Sequence, residues 1–427
     1  MTIAPLLAAA GGGADATARI LLALAVIVVA AKLGGELMER IGHPAVLGEL
    51  GVGLLLGNAG IMAGFDVSAI ASSEAMAVLA ELGAILLLFH VGLESTPREM
   101  MAVGGRALLV AFAGVVAPMA LGYGVGVLMM PDESWMLHAF LGAMLAATSV
   151  GITARVLKDV DALKTPAARI ILGAAVIDDV LGLLVLAVVS GIIRAAATGE
   201  VLGAGAIVFI VVKACLFLVG ALVIGSFLSP RVFRSARALR SAGIVQALAL
   251  GFCFGLSYLA LVAGLAPIVG AFAAGLVLEE VHFEEQVRKG DWPLHETLLP
   301  LMGLLVPVFF VRMGLMVDVR TMLDRHVIVF ALLLTAAAAA GKMACALVVP
   351  RGMSGLTVGF GMLPRGEVGL IFAGIGATLV LDGHAVIDPP TYAAAVFMVV
   401  ATTVMAPPLL LWSLRRQPPA VSLPPPA

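Results

Sequence analysis

Apolar residues in this chain neither alternate nor recur every third or fourth position; they run in unbroken blocks. Thirteen blocks are long enough to cross a bilayer, at about 17–39, 45–63, 74–94, 105–130, 135–158, 167–193, 204–228, 242–263, 265–281, 295–316, 326–349, 354–381 and 391–414. Such blocks predict transmembrane helices, because a hydrocarbon core about 30 Å thick needs about 20 helical residues. Only Gly264 separates the eighth block from the ninth. The short polar N-terminus up to Asp15 has no charged region ahead of a cleavage site, so a removable signal peptide is not expected.

Composition agrees with the pattern. With 62% hydrophobic residues, 12% charged residues and a mean hydropathy of +1.13, the chain is too apolar for a single soluble core. The expected fold is therefore an all-α polytopic membrane protein of about thirteen spans. The net charge of -2 says nothing about partners, and no basic patch with interleaved aromatics points to nucleic acid. Cys215, Cys253 and Cys345 lie inside apolar blocks without metal-ligand spacing and read as packing residues.

The placement of charge is more informative than its sum. With the N-terminus outside, the inner loops and the C-terminal tail collect seventeen Lys and Arg, while the outer segments hold only Arg19, Arg194, Arg320 and Arg325. The positive-inside rule then gives an N-out, C-in topology. The inner set includes Arg231, Arg234, Arg237 and Arg240, read as an orientation anchor between two halves in preference to a lipid-binding patch.

An odd number of spans accommodates two six-span halves of opposite orientation around a linking helix. The third span, Glu81 to Leu93, and the tenth, Met302 to Leu315, share a small-residue start, a Leu/Val/Phe core and a Gly-Leu exit while running in opposite directions. This predicts an inverted repeat that pairs spans one to six with eight to thirteen. In corresponding positions the fifth span carries Thr148-Ser149-Val150-Gly151-Ile152-Thr153 and the twelfth Leu363-Pro364-Arg365-Gly366-Glu367-Val368-Gly369-Leu370. Both put helix-weakening residues in mid-span. Interrupted helices expose half-helix ends and free carbonyls that can hold an ion. The hydroxyls of Thr148, Ser149 and Thr153 suit a small hard cation, or else bond back to their own helix. Arg365 and Glu367 either line an ion path or neutralise the dipole ends where the helix breaks.

The sixth span holds Asp178 and Asp179 near the middle of an apolar run from Pro166 to Ile193. A carboxylate at that depth costs several kcal/mol (order of magnitude) unless paired, hydrated or protonated. Adjacent helix positions are offset by about 100°, so one acid can meet a buried counter-charge while the other faces a wet cavity. Lys342 in the eleventh span lies about 12 Å inside Pro350, and Asp178 about 18 Å inside Pro166, a difference a lysine side chain can span. A lysine snorkelling to the inner surface is the competing reading. Lys213, Arg312 (snorkelling or paired with Asp318), His90, Glu49 and Glu81 read as structural.

Together these residues resemble the sodium/proton exchanger family, specifically the second branch of the monovalent cation:proton antiporters. The likeness rests on Asp178-Asp179 between Ala-Val-Ile and Val-Leu-Gly, the Thr148–Thr153 segment, Lys342, and the run Pro364 to Leu370. It implies that Asp179 binds the cation, Na+ or Li+, and the proton, that Asp178 pairs with Lys342, and that the fifth and twelfth spans are crossing broken helices. It implies a mobile core (104–200 and 323–417) working against a dimerising scaffold (1–103 and 231–322), with a linker helix at 201–230 and a disordered tail at 418–427. The double aspartate resembles the electrogenic members. The implied protein is a homodimer of a bacterial inner membrane that serves pH homeostasis, with no enzymatic activity and no cofactor beyond the transported Na+ and H+. The chain departs from the potassium-efflux relatives: it has no glutamine before a single aspartate and ends at Ala427 without a nucleotide-binding domain.

Three other readings stay open on the residues. A potassium/proton exchanger would use the same groups. A sodium-coupled organic-anion symporter shares inverted repeats but needs no adjacent aspartates facing a lysine. An intramembrane aspartyl protease needs two carboxylates converging on one water, which neighbours on one helix do poorly.

Overall fold

The computed structural model describes residues 13–63, 73–94, 104–160, 162, 165–197, 204–236, 243–287, 294–349, 353–381 and 383–416. The polar N-terminal stretch before Gly13, most of the expected outer loop after Gly64 and the expected disordered tail lie outside these residues.

Helices occupy every apolar block. In chain order they are α1 (Gly13–Arg40), α2 (Ala45–Ala63), α3 (Glu74–Glu94), α4 (Gly104–Met129), α5 (Trp135–Ala146), α6 (Val150–Asp159), α7 (Pro166–Ala197), α8 (Ala204–Ala236), α9 (Ile244–Val262), α10 (Pro267–Val287), α11 (Leu294–Leu315), α12 (Arg325–Met343), α13 (Gly355–Gly361), α14 (Gly366–Thr378) and α15 (Pro389–Arg415). Among the described residues nine helices are long and apolar enough to cross a membrane, and α13 with α14, bent by 50°, makes a tenth. Three further blocks hold shorter apolar helices, Ala45–Asn58, Trp135–Ala146 and Pro267–Leu278.

One element departs from an all-helical chain. The block expected to be helical to residue 381 stops at Thr378, and β1 (Val380–Leu381) pairs antiparallel with β2 (His384–Ala385). The cause is local: Asp-Gly is a strong hairpin turn signal, and Gly383 takes φ +84°.

By internal contacts the chain divides into two compact units. One comprises Met1–Pro97, Leu183–Val329 and Leu370–Val396. The other comprises Arg98–Gly182, Phe330–Gly369 and Phe397–Ala427.

In the first unit, backbones meet through small residues, because lipid removes the hydrophobic drive between helices and leaves close packing to do the work. Thus Gly92 on α3 faces Gly275 on α10, and Gly83 faces Leu305 on α11. Asn58 ties α2 to the chain leaving α11: its amide donates to Val317 O at 2.9 Å and its oxygen accepts from Val319 N at 3.0 Å. Of the two readings of Arg312, the pair with Asp318 is not formed among the described residues. Asp318 instead accepts from Arg320 N at 2.8 Å, while Arg312 lines a cavity with Glu81. Lys32 approaches the buried Glu49 at 3.9 Å.

In the second unit, α4 and α7 share an apolar core of Ala107, Val110, Ala111, Ile170, Ile171 and Ala174. Gly341 on α12 lies directly against Pro118 of α4, leaving no room for a side chain. That approach brings Lys342, the next residue, into the interior.

Candidate functional site

All eight residues singled out from the sequence fall in or next to the second unit's core, and they divide into two connected groups. The first group is the pair of helix breaks. Helix α5 ends because Ala147 adopts an extended conformation (φ -58°, ψ 142°), leaving the last carbonyls of α5 without helical donors. Helix α13 ends at Gly361, and Pro364 disfavours a helical residue before it, so residues 363–365 run non-helical until α14 begins.

The two breaks are joined to each other. Ser149 N donates to Pro364 O at 2.8 Å. The fully buried Arg365 donates from Nη1 to Ala147 O at 2.6 Å and from Nη2 to Ala338 O at 3.1 Å. A guanidinium over the carbonyl end of α5 satisfies both its hydrogen bonds and its negative dipole. Ser149 Oγ donates to Glu367 Oε2 at 2.9 Å, with Glu367 in the first turn of α14, where a carboxylate suits the positive helix end. Thr153 Oγ1 donates to Gly361 O at 2.6 Å, answering the end of α13. Thr403 Oγ1 of α15 accepts from Gly366 N at 3.2 Å.

Ser149 and Thr153, expected as possible cation ligands, thus spend their hydroxyl protons on holding the breaks together. Gly366 sits at φ +26°, and a Cβ there would come within 2.6 Å of the Ser149 side chain. Gly366→Ala is expected to destabilise the protein by about 1–3 kcal/mol through backbone strain alone. It should also separate Ser149 from Glu367. Thermal unfolding of the purified protein, read beside transport rate in vesicles, checks both effects; an unchanged melting temperature would mean the break tolerates a side chain.

The second group is the acid pair. Lys342 Nζ contacts both oxygens of Asp178, Oδ1 at 2.9 Å and Oδ2 at 3.0 Å, and both residues are fully buried. Gly114 makes room for this pair, since a Cβ there would lie 3.3 Å from Asp178 Oδ1 and 3.4 Å from Lys342 Nζ. Asp179 points elsewhere, as the helical offset requires. Its Oδ1 is buried with no hydrogen-bond partner among the described residues, and the same is true of Thr148 Oγ1. Thr148 stands beside Asp178, and Glu367 lies within electrostatic reach of Asp179. Helix α7 passes the first break closely, Gly182 being in van der Waals range of Ala147 Cα.

Several contributors were not singled out from the sequence: Thr403, Gly114, the Pro118–Gly341 contact and the carbonyls of Ala147 and Ala338. The paired hydroxyls of Thr402 and Thr403 in an otherwise apolar span were a visible signal for the first. Carbonyl acceptors leave no trace in a sequence.

Chemically, the arrangement offers one acid neutralised by an ammonium and a second acid with unspent oxygen capacity beside two fixed helix breaks. A buried carboxylate of that kind, in a many-span bundle with joined discontinuous helices, defines a membrane carrier of the interrupted-helix class. The sodium/hydrogen exchanger transmembrane family matches residues 22–415, and the chain belongs to that family. It is 37% identical over 414 residues to the high-affinity Na+/H+ antiporter NhaS3 of Synechocystis, covering 89% of this chain and 86% of that one. It is 33% identical to the Na+/H+-K+ antiporter GerN of Bacillus cereus, with 83% and 87% covered. Its fold is similar to that of the sodium proton antiporter MjNhaP1 of Methanocaldococcus jannaschii, with a TM-score of 0.70, 16% identity, and 93% of this chain and 99% of that one covered.

Proposed function

We propose that this protein is a secondary active antiporter that exchanges Na+ for protons by alternating access, with Asp179 as the exchanging group. The observation that carries the assignment of Asp179 is the contrast between neighbours: both Asp178 oxygens engage Lys342, while Asp179 Oδ1 has no hydrogen-bond partner among the described residues.

Asp179 holds either a proton or a cation, and the hydroxyl of Thr148 with nearby break carbonyls completes the cation's shell. A site neutralised by either passenger crosses the apolar barrier at low cost, whereas the bare carboxylate does not. That asymmetry couples the two fluxes and blocks leak. The unit holding Arg98–Gly182 and Phe330–Gly369 is the moving core in this reading, and Arg365 keeps its two broken helices together during the motion. If cation entry displaces Lys342 from Asp178 and the ammonium releases its proton, two protons leave for each Na+ and exchange moves net charge. The protein is oriented N-out and C-in and works as a homodimer in a bacterial cytoplasmic membrane. The Na+/H+-K+ name of GerN supports a second reading in which K+ is also carried.

The test is pH-dependent fluorescence in proteoliposomes, scanning Na+, Li+ and K+ with the membrane potential clamped and unclamped. Rates equal to those of empty vesicles for all three cations would end the antiporter reading. One quantitative consequence follows from competition for a single carboxylate. As pH falls below the site's titration range, protons displace Na+ and the apparent KM for Na+ should rise about tenfold per pH unit. A KM independent of pH across that range would require separate cation and proton sites.

A further inference from the structure

A cavity of about 210 Å³ lies wholly within the first unit, walled by α3, α10, α11 and the last two turns of α14. Pro267, the first residue of α10, and Thr378, the last of α14, both line it, which puts it at the membrane face where α10 begins and α14 ends. In the N-out orientation that face is the outer one. The walls are apolar except at Glu81 of α3, Arg312 of α11 and Thr378. Thr378 spends its hydroxyl proton on Ile375 O at 2.8 Å. The two charges are unspent: neither Glu81 nor Arg312 enters a salt bridge among the described residues, and Arg312 Nε is buried without a hydrogen-bond partner there. Arg194 of α7 is within electrostatic reach of Glu81 and donates to Leu265 O at 3.4 Å. Unpaired charges inside a membrane bundle are stable only against water, so the cavity is wet.

The cavity also lies in line with the site along one helix. On α14, Glu367, Ile371, Gly374 with Ile375, and Thr378 recur every three or four positions and so share a face. All of them beyond Glu367 line the cavity. Ile371, buried, is the one of these nearest Glu367, a single turn away, and Glu367 is within electrostatic reach of Asp179.

Building on the antiporter reading, we infer that this cavity is the outer mouth of the ion path, closed at Ile371, and that Glu81 and Arg312 set the cation concentration inside it with opposite signs. Glu81 draws cations in, Arg312 repels them, and the balance fixes the apparent affinity for Na+ presented from this side. Both act on access to Asp179, not on the exchange there. A local potential multiplies the concentration of every monovalent cation by the same factor, so it does not choose between Na+ and Li+.

The experiment measures cation-driven proton flux in right-side-out and everted membrane vesicles carrying the full chain, with Na+ varied on one side at a time. Glu81→Gln is expected to raise the apparent KM for Na+ about threefold and Arg312→Gln to lower it about threefold, each from one face only and with kcat kept. Glu81→Asp should match the unmodified protein. Li+ should show the same ratios, and both shifts should fade when choline chloride brings the ionic strength to about 1 M, where charges are screened within about 3 Å. Neither substitution gives up a salt bridge, so both variants should fold. A merely structural role would move both KM values in the same direction or lower kcat, and either result overturns the inference. So do equal shifts from both faces, shifts that persist in high salt, or ratios that differ between Na+ and Li+, which would make Glu81 a ligand. Flux in the unmodified protein with a KM that neither substitution moves overturns this inference alone; no flux in the unmodified protein removes the antiporter reading and the inference with it.

Discussion

Asp179→Asn protein is expected to show no cation-dependent proton flux above that of empty vesicles. The amide keeps the size and most of the packing of the carboxyl, so the fold should survive. What it loses is charge: asparagine neither takes up a proton nor neutralises a bound cation. A site that must then carry an uncompensated Na+ across the apolar barrier faces about 2.5–3.5 kcal/mol for a charge at bilayer depth, a slowing of about 100-fold. The measurement is the fluorescence assay described above, with expression and melting temperature compared against the unmodified protein. Exchange within a few-fold of normal would remove Asp179 from the mechanism, because the neighbouring acid on α7, Asp178, is held through both oxygens by Lys342.

Replacing Lys342 should have a different signature, in stability as well as in transport. Lys342→Met leaves Asp178 fully buried without its ion-pair partner, and breaking a buried pair from one side typically costs about 3–5 kcal/mol. Removing both charges, as Lys342→Met with Asp178→Asn, should restore most of that loss, since the double variant buries no orphan ion. Thermal unfolding of the three variants gives the comparison. Equal melting temperatures for the single and double variants would show that the pair is not energetically coupled. Transport separates the roles further: Lys342→Gln is expected to exchange with little or no dependence on membrane potential, because the second proton has lost its carrier. An undiminished potential dependence would count against the ammonium as that carrier.

The two interrupted helices explain why such substitutions can be read locally. Arg365 bonds to carbonyls of α5 and α12, and Ser149 bonds to α14 by side chain and to the preceding break by backbone. Each end that a break exposes therefore has a named partner. The acid pair is supported from another direction, by α4 and α12 approaching through Gly114, Pro118 and Gly341. A change in one group need not dismantle the other.

Much of this was legible in the residues themselves. Blocks of about twenty apolar residues can only be paid for in a membrane as helices, so spans follow from composition and length. The breaks were legible because Pro364 and Gly366 act on their own backbone, and the Thr148–Thr153 hydroxyls compete with it. The hairpin after Thr378 was carried by an Asp-Gly pair that the apolar run around it obscured. The sequence leaves open whether Arg312 snorkels or pairs with Asp318, because six residues' separation says nothing about which way two side chains turn once helix α11 has ended.

What the chain determined alone was every feature whose cause is local: burial of whole segments, the positions where helices must fail, and an acid pair too costly to sit in lipid without a use. Tertiary structure decided the partners. Asp178 meets a lysine 164 positions away and Arg365 a carbonyl 218 positions away, and these pairings depend on how separate helices lie against one another. Adjacent aspartates carry the same chemistry in the sequence; only the direction in which α7 presents each of them makes one a fixed counter-ion and leaves the other with an unfilled oxygen.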